Sequence, residues 1–176
     1  MDPLHGIIYA GAFSLELMSG NYDRLETEGL HLLATVDFPI LRWNVAAAFI
    51  HSHRYQDAIR VLRALSEKVP TIAGQAIRFL RLALEGQPDD AKSCFDADLL
   101  ARARNVEFWC LWVSECYAFV EETELAIEWL ETAFRKGFWN YPYVSKHSTF
   151  FRKLDGDPRF QESLARMKPA WENFEP

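Results

Sequence analysis

The sequence predicts an all-α protein, an α-solenoid of about four antiparallel helix pairs closed by an aromatic-rich C-terminal helical cap, and three observations lead there. Apolar residues recur with helical rather than alternating spacing through almost the whole chain. Pro and Gly fall mostly between those periodic stretches, where they punctuate them. One position near the start of every second helix also returns at a nearly constant interval, at Leu25, Ala58, Ala91 and Ala126, with separations of 33, 33 and 35 residues.

Taken in order, Pro3 opens the first helix behind an Asp2 cap, and Gly20-Asn21 stops it. A second helix is expected from about Tyr22 to Ala34, a third from Ile40 to Ser52 and a fourth from Tyr55 to Val69. Pro70-Thr71 closes that pair. The next pair covers about Thr71–Glu85 and Pro88–Ala103, with Asp89 and Asp90 in the first turn of its second helix and Arg102 and Arg104 at its end. Glu107–Val120 and Thr123–Lys136 form the last pair. There Glu121, Glu122 and Glu124 gather where the helix dipole is positive, and this explains the acidic cluster without invoking catalysis.

Spacing within these helices separates two kinds. The stretch YQDAIRVLRALSEKV keeps Ala58, Val61, Leu62, Leu65 and Val69 on one stripe, and Ala126, Trp129, Leu130, Ala133 and Phe134 form another. By contrast, ILRWNVAAAFI and FWCLWVSECYAFV are apolar nearly all round, which requires cover on two sides. Helices stacked between neighbouring pairs receive such cover.

Composition narrows the function. Of 176 residues 49% are hydrophobic and 25% charged, the balance of a folded protein. With 25 acidic against 19 basic residues and a formal charge of −6, no Lys/Arg stripe suits a phosphate backbone, so no nucleic-acid partner is expected. The start MDPLHGIIYAGAF lacks the pattern of a signal peptide, and the most apolar run, Phe108 to Val120, is shorter than the roughly 20 residues of a membrane span. The expectation is a cytoplasmic protein without a membrane partner. Cys94, Cys110 and Cys116 are odd in number and sit in apolar stretches, as reduced buried thiols do.

Other positions keep the same register as the small residue. Nine residues earlier stand Glu16, Phe49, Leu82 and Tyr117, and five residues earlier Gly20, His53, Gly86 and Glu121. This resembles the tetratricopeptide repeat, a helix pair of about 34 residues, over about residues 3 to 138, and most closely in Leu41–Pro70 and Phe108–Gly137. The units are approximately 3–37, 39–70, 71–105 and 107–138. Departures are Glu16 and Leu25 in the first unit, Arg78 in the third and Glu121 at a turn that favours glycine. Residues 139–176 make no fifth repeat. With KGFWNYPYVSKHSTFFRKLDGDPRF and WENFEP, they are similar to the closing element of tetratricopeptide regions in bacterial multidomain signalling proteins, including serine/threonine kinases and transcriptional regulators. Asp157-Pro158 should start a helix to about Lys168, kinked or restarted at Pro169, while Phe138, Trp139, Tyr141, Phe150, Phe151 and Phe160 cover the end of the array.

The resemblance implies a non-catalytic interaction module, the regulatory or scaffolding part of a larger signalling chain, with the first helix of each pair lining a concave apolar groove for a peptide or partner helix. Mapped here, that groove comprises Ser14, Leu17, Trp43, Asn44, Ala47, Ile50, His51, Ile77, Leu80, Leu111, Trp112 and Glu115, with Ile7, Ala10, Ala76 and Ala83 beside them. An equal reading makes Trp43 and Trp112 core, or a contact with a second copy in a structural dimerisation domain. A remoter one is an enzyme or metalloprotein using His51 and His53, although a spacing of two does not place both rings on one helical face. No cofactor is expected.

Overall fold

The computed structural model describes residues 3–36, 38–64 and 69–173, and every regular element among them is a helix. In chain order these are α1 (Pro3–Met18), α2 (Tyr22–Arg24), a π-helical stretch Leu25–Gly29 that leads without a break into α3 (Leu30–Leu33), α4 (Pro39–His51), α5 (Tyr55–Arg63) and α6 (Ile72–Leu84). Then follow α7 (Pro88–Lys92), α8 (Ala97–Ala103), α9 (Glu107–Phe119), α10 (Thr123–Arg135), a π-helical turn Tyr143–His147, a 3-10 turn Thr149–Leu154, and α11 (Pro158–Glu172). Asp2, Leu65 and Phe174 lie outside the described residues.

Helices pack in sequence order: α1 on α4, α4 on α6 and α6 on α9, while α5, α7 and α10 pack on α4, α6 and α9 respectively. The corner between the two helices of each pair is the same structure four times over. Backbone φ is positive at Gly20 (79°), His53 (59°), Gly86 (78°) and Glu121 (64°). In each case that residue's amide donates to the carbonyl three residues back and the next amide to the carbonyl five back: Gly20 to Leu17 and Asn21 to Glu16, His53 to Ile50 and Arg54 to Phe49, Gly86 to Ala83 and Gln87 to Leu82, Glu121 to Ala118 and Glu122 to Tyr117. This pair of bonds is the Schellman closure, which satisfies carbonyls that a helix end leaves without partners. The residue that follows has ψ near 60° every time, 61° at Asn21, 59° at Arg54, 58° at Gln87 and 68° at Glu122.

The register fixes what lies inside. Leu25, Ala58, Ala91 and Ala126 are all fully buried, and their small side chains in three of four units allow close helix approach. Ser114 Oγ donates to the Ala126 carbonyl at 2.6 Å, tying α9 to α10 across that contact. In the first unit the bulkier Leu25 begins the π-helical stretch, and Gly29, where a Cβ would meet Val45 Cγ2 at 2.8 Å, lets the chain lie against α4.

Three expectations are corrected. The helix from Pro88 to Ala103 is two helices, because Asp96 caps α8 by accepting from the Leu99 amide at 2.7 Å and the break turns Cys94 and Phe95 into the core. Phe95 there stacks on Phe79 at 5.3 Å. Pro169 does not restart the last helix, since α11 runs through it to Glu172. Its ring faces solvent, near enough to the helix end that little ladder is lost. The fourth helix stops at Arg63, and Val69 is not helical.

Candidate functional site

The face formed by α4 and α9, which the sequence marks as a groove, is covered by the chain itself. The 3-10 turn Thr149–Leu154 packs on both helices, and its neighbour Tyr143–His147 packs alongside. Tyr143, Val144, Ser148, Phe150, Phe151 and Leu154 are all buried in that contact or the cap around it. Phe150 lies between Trp43, His51 and Phe119, with ring centroids 6.3, 5.0 and 5.9 Å away. Trp43 and Trp112 stack on each other at 4.2 Å and 15°, sealed from solvent.

Polar groups fix the register of this segment. Glu115, fully buried on α9, accepts at Oε1 from the Tyr143 hydroxyl at 2.5 Å and from Ser148 Oγ at 3.3 Å. Desolvation pushes its carboxyl up to about 8, against the opposing pull of those two hydrogen bonds. Its Oε2 is buried without a partner among the described residues, which a neutral acid tolerates far better than a carboxylate. His51 Nδ1 accepts from the Thr149 amide at 3.2 Å and lies 2.8 Å from its hydroxyl, so the neutral ring carries its proton on Nε2. Burial, with help from the Arg152 charge, lowers that imidazole to about 3. Tyr22 donates to the His147 carbonyl at 2.5 Å, and burial raises its own phenol to about 12.

The residues expected to line a groove are therefore placed as follows. Leu17, Trp43, Asn44, Ala47, Ile50, His51, Ile77, Leu80, Leu111, Trp112 and Glu115 are buried, as are Ala10 and Ala76. Ser14 is half-buried, accepting from Asn44 Nδ2 at 2.9 Å, and Ala83 is half-buried. Ile7 alone of that set is exposed. His51 and His53 diverge, one beneath the C-terminal segment and the other at an exposed corner beside Tyr55. Among the described residues no group of three or more His, Cys, Asp or Glu is gathered around a point where a cation could sit. All three thiols are free and buried, and burial raises each above its ordinary value.

Energetics make the segment part of the core rather than a lid. Opening it would return five apolar side chains to water at about 1.5–3 kcal/mol each and uncover Trp43 and Glu115 beneath. Regained chain entropy offsets part of this, but the gross cost is on the scale of a whole domain's stability, about 5–15 kcal/mol.

An open concavity of about 560 Å³ lies elsewhere, where the N-terminal ends of α4, α6 and α9 meet α8. Phe38, Pro39, Ile40, Pro70, Ile72 and Val106 make its walls apolar, and half-buried Trp109 stands among them. Arg102 is at the rim, exposed, and its guanidinium makes no hydrogen bond or ion pair among the described residues. The sequence carried a signal for this cleft: Pro39, Ile72 and Glu107 begin α4, α6 and α9 at intervals of 33 and 35 residues, so their apolar flanks fall together.

Comparison of the chain with protein-family models, with curated proteins and with solved structures gives no match. Among the described residues no helix is long and apolar enough to cross a membrane.

Proposed function

We propose that this chain is a non-catalytic protein-interaction module that holds an extended peptide in the cleft at the N-terminal ends of α4, α6 and α9. The observation that carries the reading is that cleft: about 560 Å³ with largely apolar walls and, at its edge, the Arg102 guanidinium, which has no partner among the described residues. Its volume falls within the range of ligand pockets, roughly 300–1,000 Å³, and its composition, an apolar body with one directing polar group, is theirs too. The complementary ligand is a peptide with an apolar side chain for the cleft and a carboxylate for Arg102, which a planar guanidinium receives with two parallel hydrogen bonds. The tetratricopeptide resemblance gives such a module a place as a regulatory or scaffolding part of a bacterial signalling protein. The groove lined by Trp43, Trp112 and Glu115 serves the chain's own C-terminal segment and not a separate partner.

Selection from a displayed random-peptide library, followed by titration calorimetry, tests this. Enriched peptides should pair an apolar residue with Asp, Glu or a free C-terminus, and Arg102→Glu or Trp109→Ala should weaken them tenfold or more. Failure to enrich any peptide, or enrichment indifferent to both substitutions, would refute the reading.

A further inference from the structure

The first helix differs from its counterparts in one respect. Like α4 and α9 it is apolar nearly all round, but only one of its faces is covered: Ala10, Phe13 and Leu17 are buried toward α4, while Ile8 is 66%, Leu15 69% and Ile7 57% exposed. Leu15 and Ile8 lie on the side opposite α4, with Gly11 and Ala12 between them, both exposed, and beyond the helix's own backbone and the adjacent residues nothing lies within 4 Å of where a Gly11 Cβ would stand. Beside this face is a second concavity of about 560 Å³, lined by Ile8, Ala12, Phe13, Thr27, His31 and Leu32.

We infer that α1 is a homodimer interface, in which two copies cross antiparallel about a two-fold axis between Gly11 and Ala12. The sequence of the face is self-complementary about that point. Residue i meets residue 23 − i of the partner, so Ile8 of one copy lies on Leu15 of the other, twice, and the small pair Gly11/Ala12 meets itself at the crossing. An isologous contact requires this reciprocity. Leu15 then supplies a projecting side chain next to the apolar side of the partner's hollow, at Ile8 and Ala12, across from the Arg24–Glu28 ion pair that also lines it.

Area and charge agree. With Tyr9 and Leu30, also exposed, these side chains present on the order of 500 Å² of surface, within the size range of the largest patch on a monomer, which is often functional. It is a large share of the roughly 800 Å² that each member of a stable pair buries. The chain's net charge of −6 does not oppose the pairing locally, because the carboxylate of Glu16 is held by Asn21 and Arg24 of its own copy. The stacking logic of the fold points the same way, since α4, equally apolar, has α1 on one side and α6 on the other.

Light scattering across about 1 to 500 µM, with sedimentation equilibrium, tests this independently of the cleft. Wild type should reach twice the monomer mass, Ile8→Glu and Leu15→Lys should each remain monomeric, and the double variant Ile8→Glu/Leu15→Lys should recover the dimer through two cross-pairs. Both positions are more than half exposed, so circular dichroism should show unchanged folding. A wild-type monomer at every concentration, a dimer indifferent to either single change, or a double variant that stays monomeric would each overturn the inference. The α1 variants should leave peptide binding unchanged, and Arg102→Glu should leave the mass unchanged.

Discussion

Replacing Glu115 with Gln should make the protein more tolerant of alkali, because the acid is buried in its neutral form. In the folded chain its pKa is raised to about 8, against an ordinary value near 4.5, so the folded state holds a proton that the unfolded state has lost between those limits. Stability from this group is fully present below pH 4.5 and falls as pH rises toward 8. His51 acts oppositely: with its pKa lowered to about 3 from 6.5, its contribution is present above pH 6.5 and is lost as pH falls toward 3. Between pH 4.5 and 6.5 the two slopes cancel, and above 6.5 only the glutamate acts. One proton over the 1.5 units from 6.5 to 8 is about 2 kcal/mol, at roughly 1.4 kcal/mol per unit. Buried thiols with raised pKa values add their own loss only above about 9, where an unfolded cysteine ionises. Urea unfolding at pH 5.5, 6.5 and 8 would measure it. Wild type should be level between the first two and lose about 2 kcal/mol by the third, while Glu115→Gln, whose amide oxygen still accepts from Tyr143 and Ser148, should gain about 1 kcal/mol from pH 5.5 to 6.5, where the His51 slope is no longer offset, and change by less than about 0.5 kcal/mol from 6.5 to 8. A wild type as stable at pH 8 as at 6.5 would refute the reasoning.

Other substitutions separate packing from backbone effects. Trp43→Ala and Trp112→Ala should each cost about 3–5 kcal/mol in denaturant unfolding, as core truncations do, because their stacked rings are sealed. Gly86→Ala should cost about 1–2 kcal/mol, almost wholly from the left-handed backbone, since an added Cβ there meets nothing within 4 Å. Glu121→Gly, at the equivalent corner, should instead raise the thermal midpoint by relieving the same strain, with only the exposed Lys153 pair lost. Ala126→Leu should destabilise by about 1–3 kcal/mol through overpacking between α9 and α10.

The recurring corner between paired helices was legible because it is local. Gly20, His53, Gly86 and Glu121 stand at matched positions in sequence, and each is where the backbone turns left-handed, even though two of the four are not glycine. The pairing of helices follows from short connections of that kind. The break at Ser93–Asp96 was missed because Cys94 and Phe95 continue an apolar pattern that a helix also satisfies; the Asp96 cap was the available clue. The occupant of the α4–α9 face was hidden for a different reason. Glu115 meets Tyr143 and Ser148, and His51 meets Thr149 98 positions away, contacts that no periodicity encodes. Apolar spacing tells which residues need cover but not what covers them, so Trp43 and Trp112 read equally as groove and as core. The same limit concealed that α1, as apolar as α4, has a bare side.

The most direct measurement is hydrogen exchange followed by mass spectrometry, comparing the amides of residues 143–154 with those of α9. Both should open only with global unfolding, giving equal opening free energies within about 1 kcal/mol and equal loss on Tyr143→Phe. Exchange in 143–154 faster than in α9 by several orders of magnitude would show a segment that leaves its face while the helices stay folded, and would contradict the claim that the chain fills its own groove.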